Sequence, residues 1–302
     1  MVDINKLSTN LKQKPYGGAW CINDPEIIQA LQTFLDQNAY IDIINNTNVN
    51  GFLDRYFQFV KTSKNNLQGF EKYKSLAFSL GTTNTFDMFT ATHPTRRLVS
   101  FKGEYIYHNI MQRTIYGKTT TLSHADQIDS NDCVVISCPF ADTGQEHPEM
   151  NEILDKCDSL GVPLLLDMAY INISEGININ LEHDCIEALT TSLSKVFPLG
   201  YVRVGMRMKK ENIDDGLDMT TSSDWVNKLG ISMSNYVLEQ FDSSFIINKY
   251  RQQQIDMCKQ LDVDVSKSVI FGIDNSNKYN EYNRGFETNR LCFSKHFETG
   301  VA

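Results

Sequence analysis

The chain has 302 residues, with 37 acidic and 28 basic side chains, a formal net charge of -9, and 41% hydrophobic content. At about 100–200 residues per domain, this is one large domain or two modest ones, with apolar side chains enough for a sizeable core, and no run nears the roughly 18 apolar residues that span a bilayer. The acidic balance and the lack of a Lys/Arg stripe disfavour nucleic acid as a partner, and the polar opening MVDINKLSTNLKQK has no signal-peptide apolar region.

The first predicted element follows Asn23-Asp24-Pro25, a cap residue and then proline at the first helical position. Ile27, Ile28, Leu31, Phe34 and Leu35 recur at helical spacing and predict a helix over 25–37. Phe52, Leu53, Tyr56, Phe59 and Val60 predict a second. The short apolar run 133–137 reads as a buried parallel strand, and Asp142, Thr143 and Gly144 as the turn after it. Pro148 opens a helix with Met150, Ile153, Leu154, Cys157 and Leu160 on one face; Gly161 ends it, and 163–167 is another buried strand. Strand, helix and strand at this spacing form a βαβ unit, hence an α/β domain.

Strand-like runs follow at 188–193 and 201–208, then a long amphipathic stretch over 225–258, then β-type runs at 268–273 and 290–297. The chain thus divides into an N-terminal arm and helix (1–40), an α/β domain (41–210) and a small α+β lobe (211–302). The seven cysteines (Cys21, Cys133, Cys138, Cys157, Cys185, Cys258, Cys292) form no C-x-x-C pair, and the histidines show no ligand spacing. Neither a disulfide framework nor a metal is expected, and reduced thiols suit the cytoplasm.

Asp167 ends an apolar strand, and Tyr170 follows three residues later. In open α/β sheets ligands collect at the carboxyl ends of the strands, where a carboxylate and a phenol can grip a small polar cofactor. The bland alternative is a turn cap and a packing ring. Downstream, Lys195 stands in a loop with Thr191, Ser192 and Ser194, and Arg203 comes eight residues later in an alternating stretch. A lysine flanked by apolar residues can be desolvated into a nucleophile toward a carbonyl. Hydroxyls and a guanidinium supply the donors that a phosphate monoester needs. Together they describe a site for a phosphorylated aldehyde.

Asp167-x-x-Tyr170, Ser192-x-x-Lys195 and Arg203 in this order and spacing resemble the fold-type-I pyridoxal-phosphate enzymes, the class I/II aminotransferases in particular. The likeness is clear over about residues 140–205 and weaker on both sides. It implies an α/β fold with a mostly parallel central sheet, helices on both faces, and a small α+β C-terminal lobe. Lys195 would form the Schiff base and shuttle a proton. Asp167 would keep the pyridine nitrogen protonated, so that the ring acts as an electron sink. Tyr170 would bond the ring oxygen, and Ser192 and Arg203 would hold the phosphate.

Upstream, Gly81-Thr82-Thr83 resembles the family's phosphate loop, where backbone N–H groups at a helix N-terminus meet the anion; alone it is also a plain turn and cap. Tyr105 stands where the family stacks an aromatic on the cofactor, with Tyr107 and His108 as rivals. Arg290 resembles the arginine that clamps the substrate α-carboxylate, or it starts a solvated edge strand.

Two departures stand out. Ala141-Asp142-Thr143-Gly144 replaces the family's Asn-Pro-Thr-Gly, so the donor to the ring oxygen is lost. That leaves the oxygen more dependent on Tyr170 and raises the Schiff-base pKa. The chain is also short for the family, with reduced N- and C-terminal parts; residues 15–20 are either a mobile arm over the substrate or a surface turn. The resemblance implies an aminotransferase working on an amino acid and a keto acid, as a homodimer. Lyase, decarboxylase, racemase and synthase chemistry on the same cofactor stay open. So does a non-catalytic binding module, against which the retained Lys195 argues.

Overall fold

The computed structural model describes residues 2–3, 6–7, 18–211 and 214–297. Of the proposed arm, residues 15–17 lie outside these, whereas Gly18, Ala19 and Trp20 are within them. The helix predicted at 25–37 is α1 (Pro25–Gln37), capped by the Asp24 carboxylate, which accepts from the backbone N–H groups of Glu26 and Ile27. A short α2 (Tyr40–Asn46) and then α3 (Val49–Lys61) follow, the latter burying Phe52, Leu53, Tyr56, Phe59 and Val60 along the predicted face.

The strands and helices then alternate. A short β1 (Asn66–Gln68) precedes β2 (Ser75–Ser79), α4 (Thr82–Thr92), β3 (Arg97–Phe101), α5 (Ile106–Tyr116) and β4 (Thr121–Leu122). Next come β5 (Asp132–Ser137), α6 (Met150–Leu160), β6 (Leu164–Asp167), β7 (Asn178–Asn180), β8 (Ile186–Ser192) and β9 (Gly205–Lys209). Seven of these form one sheet in the order β2-β9-β8-β6-β5-β3-β4. β9 is antiparallel to both neighbours, and every other pairing in it is parallel. β1 and β7 pair separately.

The period of two along a strand explains why β5 and β6 are apolar throughout. Val134 and Ile136 of β5 join Leu164 and Leu166 of β6 in one core cluster. Cys133, Val135 and Leu165 point the other way and pack with Phe86 and Phe89 of α4. Both faces of the sheet are therefore covered.

Beyond residue 214 come α7 (Gly216–Ser222), α8 (Lys228–Gln240), α9 (Phe245–Leu261) and a three-stranded antiparallel sheet of β10 (Asp264–Val265), β11 (Phe271–Asp274) and β12 (Asn289–Cys292). The Gln254 amide of α9 donates to the carbonyls of Ser266, Ser268 and Phe271 at 3.0, 2.9 and 2.6 Å, which fixes this sheet against the helix.

Several boundaries differ from the sequence reading. The amphipathic stretch 225–258 is two helices, because the Asp242 carboxylate accepts the Ser244 N–H at 2.8 Å and turns the chain between them. The run 201–208 begins as a turn: Arg203 takes φ 58°, which no strand tolerates, and β9 starts only at Gly205. The run 290–297 is strand only to Cys292, with a 3-10 turn at Ser294–His296. The helix after Pro148 starts at Met150.

Candidate active site

The carboxyl ends of β5, β6 and β8 lie side by side, with Ser137 in register with Asp167 and Asp167 with Thr190. Asp167 is only 5% exposed and accepts the Ala169 N–H at 2.9 Å. Burial first, and the charge of Glu104 second, push its carboxyl up to about 7, against the pull of Lys195. Tyr170, three residues on, is buried with its ring set edge-on to Phe271 at 5.3 Å.

Lys195 stands in the turn after β8. Its Nζ donates to the Ala19 carbonyl at 2.6 Å and lies 5.8 Å from the centre of the Tyr170 ring. Ser192 ends β8, where its hydroxyl donates to the Val204 carbonyl at 3.1 Å and lies 2.7 Å from the Ser194 hydroxyl.

Across the cavity, the Arg203 guanidinium donates to the Leu80 carbonyl at 3.1 Å and the Thr83 hydroxyl at 3.2 Å. It passes over Gly81, at φ 80°, where an added Cβ would stand 2.4 Å from it. Thr82 and Thr83 open α4, so the N-terminus of that helix faces the same space.

Tyr105, at the start of α5, lines the cavity too. Its rivals do not: Tyr107 donates to Asp87 at 2.6 Å, and His108 is buried against Phe86 with ring centres 4.6 Å apart. Arg290 is no solvated edge residue. It is 1% exposed, its guanidinium donates to the Ala141 carbonyl, and it stacks 4.4 Å from the centre of the Phe271 ring.

One cavity thus gathers every predicted site residue except Gly81, which stands behind its wall and gives Arg203 room. A wider cleft opens at the opposite end of the strands, before β6 and β8, lined by His93, Glu187 and Lys209 among others. Within it His93 pairs with Glu187 and Lys209 with Asp215, each at 3.0 Å.

Three cavity-side residues escaped the sequence reading. Ser137 lines the wall at the end of β5. Glu104 is buried behind Tyr105, where burial pushes its carboxyl up to about 7. Arg284 lies 4.0 Å from Asp142 and close to Tyr170, and burial, then the neighbouring Arg290, push it down to about 10. The available signals were a charge inside the aromatic run 101–108 and an arginine six residues before Arg290.

The donor set sorts by chemistry. Hydroxyls, a helix N-terminus and a guanidinium cluster at one end, where a phosphate monoester is matched. A buried acid stands at another, and a primary amine between. The family described as aminotransferase class I and II matches residues 25–277. The chain belongs to the class I and II aminotransferase family.

The fold agrees. An aminotransferase from Staphylococcus aureus superimposes with a TM-score of 0.63 at 13% identity, covering 93% of this chain and 89% of that one. Alanine aminotransferase from Pyrococcus furiosus gives 0.63 at 12% identity, covering 94% and 89%. A pyridoxal-phosphate-bound C-S lyase from Staphylococcus hominis gives 0.62 at 12% identity, covering 98% and 88%. No curated protein sequence matches. The cofactor of this aminotransferase is pyridoxal phosphate, and the residues fit it: hydroxyls, the N-terminus of α4 and the Arg203 guanidinium gather in one cavity with the Lys195 amine and the buried Asp167.

Proposed function

We propose that this aminotransferase transfers the amino group of an α-amino acid to a keto acid, with Lys195 as the lysine that condenses with the cofactor aldehyde. The observation that carries the reading is that Lys195, Asp167 and Arg290 face one cavity although they come from three separate parts of the chain. Pyridoxal phosphate, when bound, supplies an electron sink for the charge left as a substrate bond to Cα breaks.

The chain's own groups do the rest. Thr82, Thr83, Ser192 and Arg203 hold the phosphate, with the N-terminus of α4 adding backbone donors. Tyr105 packs on the ring face, and Asp167 holds a proton at the ring nitrogen. Tyr170 donates to the ring oxygen. Arg290, pre-oriented by the Ala141 carbonyl and the Phe271 ring, takes the substrate carboxylate in a bidentate pair. The Lys195 amine would move the proton at the substrate Cα.

Ala141 offers no side-chain donor to the ring oxygen, and this favours elimination chemistry on the same scaffold as the second reading. Product analysis separates the two: amino transfer gives a keto acid and an aminated acceptor, whereas elimination gives a keto acid and free ammonia.

Further support exists for the assembly and compartment. Trp20 and Tyr201, 41% and 90% exposed, lie with ring centres 6.4 Å apart beside the Lys195 loop. Such a patch favours a homodimer in which a second copy covers the cavity mouth. All seven cysteines are buried free thiols, in keeping with a cytoplasmic setting. Among the described residues no helix is long and apolar enough to cross a membrane. In this reading residues 1–40 serve as arm and first helix, 41–210 as the cofactor domain and 211–302 as the smaller lobe.

The test is an absorption spectrum of the purified protein with added pyridoxal phosphate. The visible band of lysine-bound cofactor is expected in the wild type and is lost in Lys195→Ala. A panel of amino acids should shift it for at least one donor. No band in the wild type would overturn the reading.

A further inference from the structure

Ser137 and Asp167 are register partners at the ends of adjacent parallel strands, about 5 Å apart. Glu104 reaches Ser137 from the loop between β3 and α5. Its carboxylate accepts the Ser137 backbone N–H and the Ser137 hydroxyl, each at 2.7 Å, and the Tyr105 N–H at 3.2 Å. The Ser137 hydroxyl oxygen itself accepts the Ala141 N–H at 2.8 Å, which aims its hydrogen at Glu104. Both acids are buried, Glu104 at 7% exposure and Asp167 at 5%. Glu104 is thus anchored on the register partner of Asp167, and two carboxylates whose charges meet out of water do not both ionise readily. The donors are unequally shared: three face Glu104, whereas the Ala169 N–H faces Asp167.

We propose that Glu104 is a positioning residue for the ring-nitrogen proton: it stays ionised on its three donors, and its charge makes Asp167 keep a proton at neutral pH. With pyridoxal phosphate bound, Asp167 would hold at the ring nitrogen the proton that it carries in the cofactor-free protein, the electron pair of its O–H bond staying on the carboxylate. The delivery step rests on the cofactor reading above; the shared proton does not.

Burial raises both acids to about 7, with Glu104 adding to Asp167 and Asp142 adding to Glu104. Lys195, from the turn after β8, pulls Asp167 the other way. Tyr56 of α3 faces Asp167, and burial, with that acid's charge, holds its phenol neutral. Burial raises the Tyr105 phenol, with Tyr170 and Asp167 adding to it and Arg203 and Arg284 pulling it down.

The first experiment is an infrared pH titration of the cofactor-free protein. The wild type should show a protonated-carboxyl band that titrates near neutrality and disappears in Asp167→Asn. In Glu104→Gln, which keeps the size of the side chain, its midpoint should fall by at least one pH unit. A folded Glu104→Gln protein with an unchanged midpoint overturns the proposal. Should that variant fail to fold, a wild-type band indifferent to Asp167→Asn overturns it equally.

The second experiment counts protons exchanged with solvent when pyridoxal phosphate is added at a pH between the two infrared midpoints, where Asp167 carries its proton in the wild type and not in the variant. Glu104→Gln should take up about one more per site than wild type, and equal uptake overturns the delivery step. The infrared titration needs no cofactor, so a missing lysine–cofactor band would sink the cofactor reading without touching the shared proton.

Discussion

Arg203 holds φ 58°, a left-handed conformation that costs an L-residue about 1–2 kcal/mol. Its guanidinium is held by the Leu80 carbonyl and the Thr83 hydroxyl over a glycine that leaves no Cβ in its path. Gly81→Ala therefore has two effects. It strains a backbone at φ 80°, and it drives the guanidinium off the phosphate end. Losing a charge-assisted bond of about 1.5–3 kcal/mol should weaken pyridoxal phosphate binding by about 10–100-fold, as read by titration of the lysine–cofactor absorption. Asp167, Tyr170, Ser192, Lys195 and Arg203 were legible because each sits at a fixed spacing on a strand end or its turn. Glu104 and Arg284 were not, because each matters through partners distant in the chain, Ser137 and Asp142, and no local pattern marks such a contact.

Helix α1 shows what a cap contributes when its element is also tied to the rest of the molecule. Asp24 accepts the N–H groups of Glu26 and Ile27, and on its other oxygen the Tyr250 hydroxyl of α9 at 2.5 Å and Lys249 at 2.6 Å. Burial pushes its carboxyl up, but these donors outweigh burial and hold it below 3.8. A carboxyl depressed by folding stabilises above its unfolded value, and the effect fades as pH falls through the folded one. Asp24→Ala should cost about 2–4 kcal/mol in denaturant unfolding near neutrality. The gap from wild type should narrow below about pH 4.

The cap and the apolar spacing together made α1 readable to the residue. The break between α8 and α9 was hidden because Phe241 and Phe245 continue the apolar pattern across it, while the turn-forming Asp242 bond is local and polar. The strand expected at 201–208 was displaced because its first residues form the turn in which Arg203 takes its left-handed φ.

At the scale of the whole molecule, the exposed Trp20–Tyr201 pair predicts self-association. Sedimentation should give twice the chain mass for the wild type, and Tyr201→Asp should shift the population toward monomer. A wild type that sediments as a monomer would refute the dimer.

The strand order has another consequence, one of timing. In the seven-stranded sheet β2 pairs with β9 alone, Ser79 against Gly205. On a ribosome β2 is made early, yet its partner emerges only after six further strands, so β3 through β8 can assemble while β2 waits as an unsatisfied edge. Gly81 follows β2 and Arg203 precedes β9, which means the phosphate end of the cavity is completed by the same late insertion that closes the sheet. Translation itself therefore sets the order: a nascent chain has no complete seat for its cofactor until nearly all of the sheet already exists.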